Sequence, residues 1–147
     1  MEKFKSFITE QKFEKYNILV ISAEGDFSKK DKLYHTAQRV IDEAKKLGHQ
    51  IYVIKVEGAY IQYDNGYKIY NADDDKGFEV DDEKTIAIVR GSVRLKQSWL
   101  DLLTQLEKIG VCMVNSRQTV SISSDKYRTY LKLQDFGLTQ PKTVLIP

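Results

Sequence analysis

Four short runs of apolar residues set the predicted architecture of this chain. They occupy residues 17–22, 50–56, 85–89 and 111–114, and each has the length of a strand. In the first and third runs nearly every position is apolar, which is typical of strands covered on both faces. The pattern therefore predicts a buried, mainly parallel sheet.

Two amphipathic segments between these runs predict helices. In residues 32–47 the apolar positions recur at helical spacing, and Gly48 follows as a stop signal. A second stripe in residues 95–109 includes Trp99, which we place in the core, and ends at Gly110. A strand, a helix and a strand follow one another within about 40 residues, which predicts a right-handed crossover. The predicted fold class is α/β, a Rossmann-like open sheet of about four mainly parallel strands with helices on both faces.

Residues at about 60–70 predict a β-hairpin excursion from this sheet. Two alternating segments flank Asn65-Gly66, the strongest short-range hairpin signal. Tyr60 and Tyr70 are expected to be cross-strand neighbours, with a substrate-stacking surface as the alternative. The following residues 71–84 are acidic and contain a glycine, so we interpret them as an exposed loop. A calcium site at Asp73-Asp74-Asp75 is disfavoured, because the spacing does not match that of a calcium-binding loop.

Charge and composition narrow the class of protein. Hydrophobic residues make up 41% and charged residues 30% of the 147 residues, which is typical of a soluble globular domain. The net charge of +2 is too small to argue for nucleic-acid binding. It is unevenly placed, however: residues 73–84 carry seven acids and two lysines, a net −5, whereas residues 117–132 carry a net +3.

The N-terminal segment, the apolar runs and the single cysteine bear on where the protein is located. Phe4, Phe7 and Ile8 in residues 1–16 predict a short amphipathic helix that packs onto the domain, and its glutamates disfavour a membrane-surface role. We find neither a signal-peptide pattern nor a run near the roughly 20 apolar residues that span a bilayer, so we expect a cytoplasmic protein without a membrane partner. Cys112, in an apolar run, is expected to be a buried, inert thiol.

Several common catalytic motifs are missing. The first strand is not followed by G-x-G-x-x-G, and the chain contains no G-x-x-x-x-G-K-[ST], so dinucleotide binding and a P-loop are not favoured. His35 and His49 have no cysteine or carboxylate at ligand spacing, which disfavours a metal site. No Ser-His-Asp or Cys-His arrangement can be defended from the order of residues.

Polar residues instead follow three of the predicted strands. Ser22, Arg90-Gly91-Ser92 and Asn115 stand where the carboxyl ends of parallel strands meet, the edge at which ligands bind in open α/β sheets. Arg90 could hold a carboxylate or phosphate through two hydrogen bonds, or satisfy helix-end carbonyls or an acidic neighbour. Gly91 would let a ligand approach the backbone. Asn115 is expected to fix its loop, with donation to a substrate as the alternative.

A helix is also predicted to start near residue 123. Ser123 or Ser124 could cap it, and Asp125 in the first turn would suit the helix dipole. Lys126 would oppose that dipole by roughly 0.3–1 kcal/mol. A residue that opposes the local preference of its helix in this way is typical of a position where a ligand compensates for the cost.

The order of segments in this region resembles a known family. VNS at 114–116, Ser-Asp-Lys-Tyr at 124–127, LQDFGL at 133–138 and QPKT at 140–143 follow in sequence, after VRGS at 89–92 and LEKIG at 106–110. This succession resembles the junction between the N-terminal domain and the nucleotide-binding part of ATP-grasp carboxylate-amine ligases. The resemblance is greatest to the ribosomal-protein glutamate ligase and glutathione synthetase group, and it covers roughly residues 17–147.

The resemblance implies a chemistry and a division of the chain. ATP would activate a carboxylate to an acyl phosphate, an amine would then attack it, and Mg²⁺ would bridge phosphate oxygens. By resemblance Lys126 would contact nucleotide phosphate, and Arg90, Gly91 and Ser92 would face an amino acid or peptide substrate; the order Arg-Gly-Ser departs slightly from the family and leaves the role of Ser92 open. The metal-binding acids of the family lie beyond the position of Pro147.

We therefore expect an N-terminal helix at 1–16, a pre-ATP-grasp domain at 17–122, and a linking helix with the start of the ATP-grasp domain at 123–147. ATP and Mg²⁺ would serve the full-length enzyme, and this chain alone would bind no cofactor and be inactive. Two alternatives remain open: a stand-alone α/β module that binds a small anion, and an interaction protein that uses the tyrosine hairpin or the first long helix. A homo-oligomer is also possible. A final segment 139–147 that completed the sheet would favour the alternatives.

Overall fold

The computed structural model describes residues 14–23, 32–90 and 96–144 of the chain. Its strands are, in chain order, β1 (Asn17–Ser22), β2 (Gln50–Lys55), β3 (Tyr60–Tyr63), β4 (Tyr67–Tyr70), β5 (Phe78–Val80), β6 (Thr85–Val89) and β7 (Cys112–Val114). Its helices are α1 (Lys32–Lys46), α2 (Gln97–Ile109), α3 (Arg117–Ser123) and α4 (Lys126–Asp135). The amphipathic helix predicted for residues 1–16 falls almost entirely outside these ranges.

A four-stranded parallel sheet forms the centre of the fold. Its strand order is β2-β1-β6-β7, so β1 and β6 are internal and β2 and β7 are the edges. Leu19, Val20 and Ile21 of β1 are completely buried, because helices cover both sides of this strand. The α/β class and the parallel sheet are thus confirmed.

The two faces of the sheet bury different residues. Leu19 and Ile21 point to the face covered by α2, where Trp99 and Leu103 complete the core. Side chains of β1 with the opposite parity, such as Ile18, pack with α1 on the other face. Burying one leucine side chain contributes about 1.5–3 kcal/mol, so the packing of α2 is a major source of stability. The prediction that Trp99 belongs to the core is confirmed by its 6% exposure.

Glycine ends α2 as the sequence predicts. Gly110 has φ +99°, a left-handed conformation that a side chain rarely adopts, and its N–H donates to the carbonyl of Glu107. A Cβ at this position would also lie 3.2 Å from Cβ of Asp82. The helix therefore stops here, and the chain turns directly into β7.

The hairpin forms, but it belongs to a larger sheet than predicted. β3, β4 and β5 make an antiparallel sheet in which Tyr60 pairs with Tyr70, their rings stacked at 5.0 Å. β5 lies inside the acidic segment that we expected to be a loop, so that prediction is wrong for three of its residues. Phe78 and Val80 face the core on either side of the exposed Glu79, and this burial makes the segment a strand.

The side chain of Asn71 ties the second sheet to the edge of the first. Asn71 follows β4, and its Nδ2 donates to the carbonyl of Val53 (2.9 Å) while its Oδ1 accepts from the N–H of Lys55 (2.9 Å). The amide thereby occupies backbone groups of β2 as a neighbouring strand would. Close by, Tyr52 donates to the carboxylate of Asp74 and stacks on a ring from β5.

The structure corrects one further expectation. Cys112 is exposed instead of buried, because it lies on an edge strand and points to the face that α1 covers only in part, while its neighbour Met113 packs against the core. The final described residues, 139–144, form no strand, and Val144 is 80% exposed. No helix among the described residues is long and apolar enough to cross a membrane.

Candidate functional site

The parallel register brings three of the predicted site residues to one edge of the sheet. Ser22 ends β1, Arg90 directly follows β6, and Asn115 directly follows β7. The N–H of Arg90 donates to the carbonyl of Ile21 (2.9 Å), and Nδ2 of Asn115 donates to the carbonyl of Val89 (2.9 Å). The three residues are therefore fixed side by side at the carboxyl ends of their strands.

Ser22 serves as part of the scaffold at this edge. Its side chain is completely buried. Its carbonyl accepts a hydrogen bond from the N–H of Val56 (3.0 Å), which extends the pairing of β1 with β2. The residue thus holds the two strand ends together beneath the exposed groups.

Arg90 places a positively charged side chain at this edge of the sheet. Its side chain is exposed, and among the described residues no carboxylate lies within ion-pair distance of it. A guanidinium in this state can bind a planar anion through two parallel hydrogen bonds. Gly91 and Ser92, which complete the predicted motif, lie outside the described residues.

Asn115 adopts the loop-fixing role that the sequence favoured. Its φ of +70° places it in the left-handed region, which asparagine tolerates better than most residues. The hydrogen bond from its side chain to Val89 joins the ends of β6 and β7. The left-handed conformation at the end of β7 is thus accompanied by a side-chain hydrogen bond to the neighbouring strand.

Helix α3, which the sequence did not predict, begins directly after this residue. Ser116 caps it by accepting from the N–H of Thr119 (3.2 Å), and the N–H of Arg117 donates to Oε1 of Glu107 on α2 (2.7 Å). Nε of Arg117 is buried without a partner in the described part of the chain. A serine followed three residues later by threonine was the available signal, and it is a weak one.

Helix α4 carries the predicted nucleotide-contacting lysine. Its cap is Asp125, not Ser123 or Ser124, which belong to the end of α3. Oδ1 of Asp125 accepts from the N–H groups of Tyr127 (2.8 Å) and Arg128 (3.0 Å). The carboxylate that precedes Lys126 is thus committed to the helix end.

Lys126 itself is the first residue of α4 and is exposed. No acidic side chain in the described ranges pairs with it, so its ammonium group faces solvent at the positive end of a helix. The helix packs on α3, which in turn packs on α2. The contacts of α4 therefore link Lys126 to the sheet edge through α3, whereas Ser22, Arg90 and Asn115 adjoin one another directly.

Several large apolar side chains are exposed on α4 and just after it. None of the residues of α4 is buried, and Leu131 is 41% exposed. Beyond the helix, Phe136 and Leu138 are 70% and 53% exposed. The ring of Phe136 is contacted by Lys132, whose Nζ lies 5.3 Å from the ring centroid.

Tyr52 and Asp74, whose pKa values are shifted, lie away from this edge of the sheet. Burial and the hydrogen bond to Asp74 raise the pKa of Tyr52, and the same bond lowers the pKa of Asp74. Both groups lie beside the second sheet and support its attachment to β2. Among the described residues, no group of three or more His, Cys, Asp or Glu side chains could hold a metal ion.

No protein-family model matches the chain, and no curated protein matches its sequence. The function must therefore be inferred from the chemistry of the strand ends and of α4. Two exposed cations, Arg90 and Lys126, stand in that region without acidic partners among the described residues.

Proposed function

We propose that this chain is the N-terminal, substrate-side domain of an ATP-dependent ligase that joins a carboxylate to an amine. The observation that carries the proposal is the exposed Arg90 at the carboxyl edge of the parallel sheet, which has no acidic partner among the residues that the structure describes. Support also comes from the order of segments between residues 89 and 143, which resembles that of ATP-grasp ligases.

Arg90 binds the carboxylate of an amino acid or peptide substrate. A planar guanidinium matches a carboxylate in geometry and charge, and a charge-assisted hydrogen bond contributes about 1.5–3 kcal/mol. Asn115 holds the end of β6 that carries Arg90, through its bond to Val89. The proposal assigns Gly91 and Ser92, and the scaffold residue Ser22, to the same substrate side.

Lys126 contacts the phosphates of the nucleotide. A compact ammonium suits a phosphate oxygen, and the capped end of α4 adds a favourable dipole. When bound, ATP would transfer its terminal phosphoryl group to the substrate carboxylate with release of ADP, Mg²⁺ would neutralise charge, and the amine would then displace phosphate to form the amide. The described residues include no metal-binding group, and the proposal assigns the metal to acids beyond Pro147.

Calorimetry with an acidic amino acid tests the role of Arg90. Arg90→Ala should weaken binding at least about ten-fold, the equivalent of 1.4 kcal/mol. Lys84→Ala is the matched control, because Lys84 precedes the same strand at its opposite end and is also exposed. Equal binding by the wild type and Arg90→Ala would show that this edge is not the substrate site.

Two measurements address the ligase assignment itself. The chain alone should show no ATP turnover with any amino acid, and turnover would contradict its proposed dependence on further lobes. The gene should encode an ATP-grasp region of about 150 residues beyond the codon for Pro147, with carboxylates for Mg²⁺.

A stand-alone module for small anions is the second candidate, and the exposed Arg90 favours it equally. Unlike the ligase domain, such a module would give Lys126 no role in binding. In the ligase, once the nucleotide-binding lobes are joined to this chain, Lys126→Ala should weaken ATP binding while leaving the binding of the acidic amino acid unchanged. A gene that encodes no such lobes, with anion binding that needs Arg90 alone, would support the module.

A further inference from the structure

Asn65 and Gly66 lie at the tip of the hairpin that joins β3 to β4. Asn65 has φ +53° and Gly66 has φ +144°, so both residues lie in the positive-φ region that asparagine and glycine tolerate best. The side chain of Asn65 is exposed, and its amide has no hydrogen-bond partner in the part of the chain that the structure describes. A Cβ built on Gly66 would meet nothing within 4 Å, so the tip has room to change its conformation.

The backbone nitrogen of Gly66 is as accessible as the side chain before it. Its N–H donates to no backbone carbonyl of the described residues. One hydrogen bond crosses the turn, from the N–H of Asp64 to the carbonyl of Gly66 (2.9 Å), and water can replace it at this exposed loop tip. An unbonded amide nitrogen therefore directly follows an unbonded asparagine side chain, and these two groups cyclise when asparagine loses ammonia.

The fold holds the other three asparagines of the chain in place. The side-chain amide of Asn71 bonds to β2 through both its nitrogen and its oxygen, and that of Asn115 donates to the carbonyl of Val89 (2.9 Å). Asn17 lies in β1, which is paired with a strand on either side. In addition, none of the three precedes a glycine, whose missing side chain leaves the attacking nitrogen unhindered.

We propose that Asn65 is a site of spontaneous covalent modification. The backbone nitrogen of Gly66 attacks Cγ of Asn65, and the new C–N bond closes a succinimide ring. The bond from Cγ to the amide nitrogen breaks, and that nitrogen leaves as ammonia with the proton of the Gly66 N–H. Water then adds across either C–N bond of the ring, which yields aspartate or, where the main chain is left running through Cγ, isoaspartate. The reaction requires no cofactor, oxidant or second protein.

Either product adds a carboxylate to a groove that is already acidic. A cavity of about 460 Å³ beside the tip is lined by both residues of the reacting pair, by Lys68 and by the carboxylates of Asp64, Glu79 and Asp81. Three acids and one lysine give these side chains a net charge of −2, and the modification changes it to −3. The reaction therefore weakens the affinity of this groove for anions and strengthens its affinity for cations.

Isoaspartate also lengthens the main chain of the turn by a methylene group. Tyr63 and Tyr67 are the cross-strand pair next to the turn, and their ring centroids lie 4.9 Å apart. Because the length of the turn sets the register of a hairpin, this pair should separate first. Tyr60 and Tyr70, which stack at the far end of the same strands, should keep their contact.

Mass spectrometry of the full chain after prolonged incubation near neutral pH tests the proposal. The peptide that contains Asn65 should gain the mass that separates OH from NH₂ and should resolve into two products, one of which an isoaspartate-specific methyltransferase labels. The same chain unfolded in urea is the reference. Folding should slow the modification of Asn65 by less than about five-fold but that of Asn115 by at least about ten-fold, because only Asn65 is accessible without local unfolding. A greater slowing of Asn65, or equal slowing of the two sites, would overturn the proposal.

Two variants test whether the mass gain comes from this turn. Asn65→Gly removes the amide and suits a positive φ, so it should fold and show no mass gain in residues 60–70. Gln62→Ala, at an exposed position of β3, is the matched control and should keep the rate within about two-fold of the wild type. Far-ultraviolet circular dichroism checks that both variants fold. If Asn65→Gly does not fold, Asn65→Gln gives the same test, because its longer side chain cyclises far more slowly. A mass gain that persists at the wild-type rate in the folded variant would refute the proposal.

Discussion

Helix α4 should open independently of the sheet, and Asp125 should control that opening. The helix has ten residues, none of them buried, and it packs mainly on α3. Isolated helices shorter than about 12–15 residues are marginal in water, so local interactions supply a large share of its stability. The cap at Asp125 is the strongest of these interactions, since one carboxylate oxygen accepts two backbone hydrogen bonds.

The size of the effect of Asp125→Ala follows from what is removed. Loss of an N-cap costs about 0.5–2 kcal/mol, typically near 1. Loss of a negative charge at the positive end of the helix adds about 0.3–1 kcal/mol. A total of about 1.5–2 kcal/mol should accelerate amide exchange within α4 roughly ten- to thirty-fold.

Hydrogen exchange followed by nuclear magnetic resonance measures this directly. Amides of residues 130–133 should exchange faster in Asp125→Ala, whereas those of Leu19–Ile21 in β1 should keep their rates. Asp125→Asn should recover most of the protection, because asparagine also caps helices. Asp135→Ala is the control at the other end of α4, where only an exposed 3.7 Å contact with Lys132 is lost. Equal acceleration in β1 and α4 would refute the independence of this helix.

Three further predictions concern other parts of the molecule. Asn71→Ala removes two hydrogen bonds to β2 and should lower the free energy of unfolding in urea by about 1–3 kcal/mol, whereas Gln62→Ala at an exposed position of β3 should change it little. The raised pKa of Tyr52 means that the folded state favours the protonated phenol; its contribution is intact below the ordinary value of 10.0 and is lost as pH rises beyond it. Tyr52→Phe should therefore flatten the decline of thermal stability above about pH 10, and an unchanged decline would disprove this cause. Cys112 should react with a thiol reagent in the folded protein at the rate of an exposed thiol, and protection until unfolding would contradict its exposure.

The central sheet could be predicted because its signals are local. Runs such as Asn17–Ser22 are apolar at nearly every position, and Gly48 and Gly110 mark the ends of the long helices. β5 could not be predicted in the same way. Phe78–Val80 is three residues long and surrounded by acids, so its structure depends on pairing with β4 and on burial against the core.

The exposure of Cys112 shows a second reason why a sequence pattern does not determine burial. An apolar run has the same sequence whether the strand is covered on one face or on both. β7 is an edge strand, and Met113 packs inward while the residues on either side of it are exposed. Which face is covered depends on the number and position of helices elsewhere in the fold, and that information is not local.

Some features of the candidate site could likewise be predicted from local sequence, whereas others depend on the rest of the fold. Arg90 and Asn115 could be placed at one edge, because parallel strands bring their carboxyl ends together. The hydrogen bond of Asn115 to Val89 could only be seen in the structure. The cap of α4 was assigned one or two residues too early, since Ser123, Ser124 and Asp125 are all good capping residues and the intervening helix α3 was not expected.

The two hydrogen bonds from Asn71 to β2 also bear on how copies of this protein could associate. An uncovered outer strand is a template on which a foreign strand can grow, and β2 offers part of its backbone to a side-chain amide instead. Within the described chain, β7 is the other outer strand of the parallel sheet, three residues long and bearing an exposed thiol. On the parallel sheet, strand-by-strand association of copies is therefore expected at β7 before β2, and oxidation of the thiol there could either lock two copies together or block their approach.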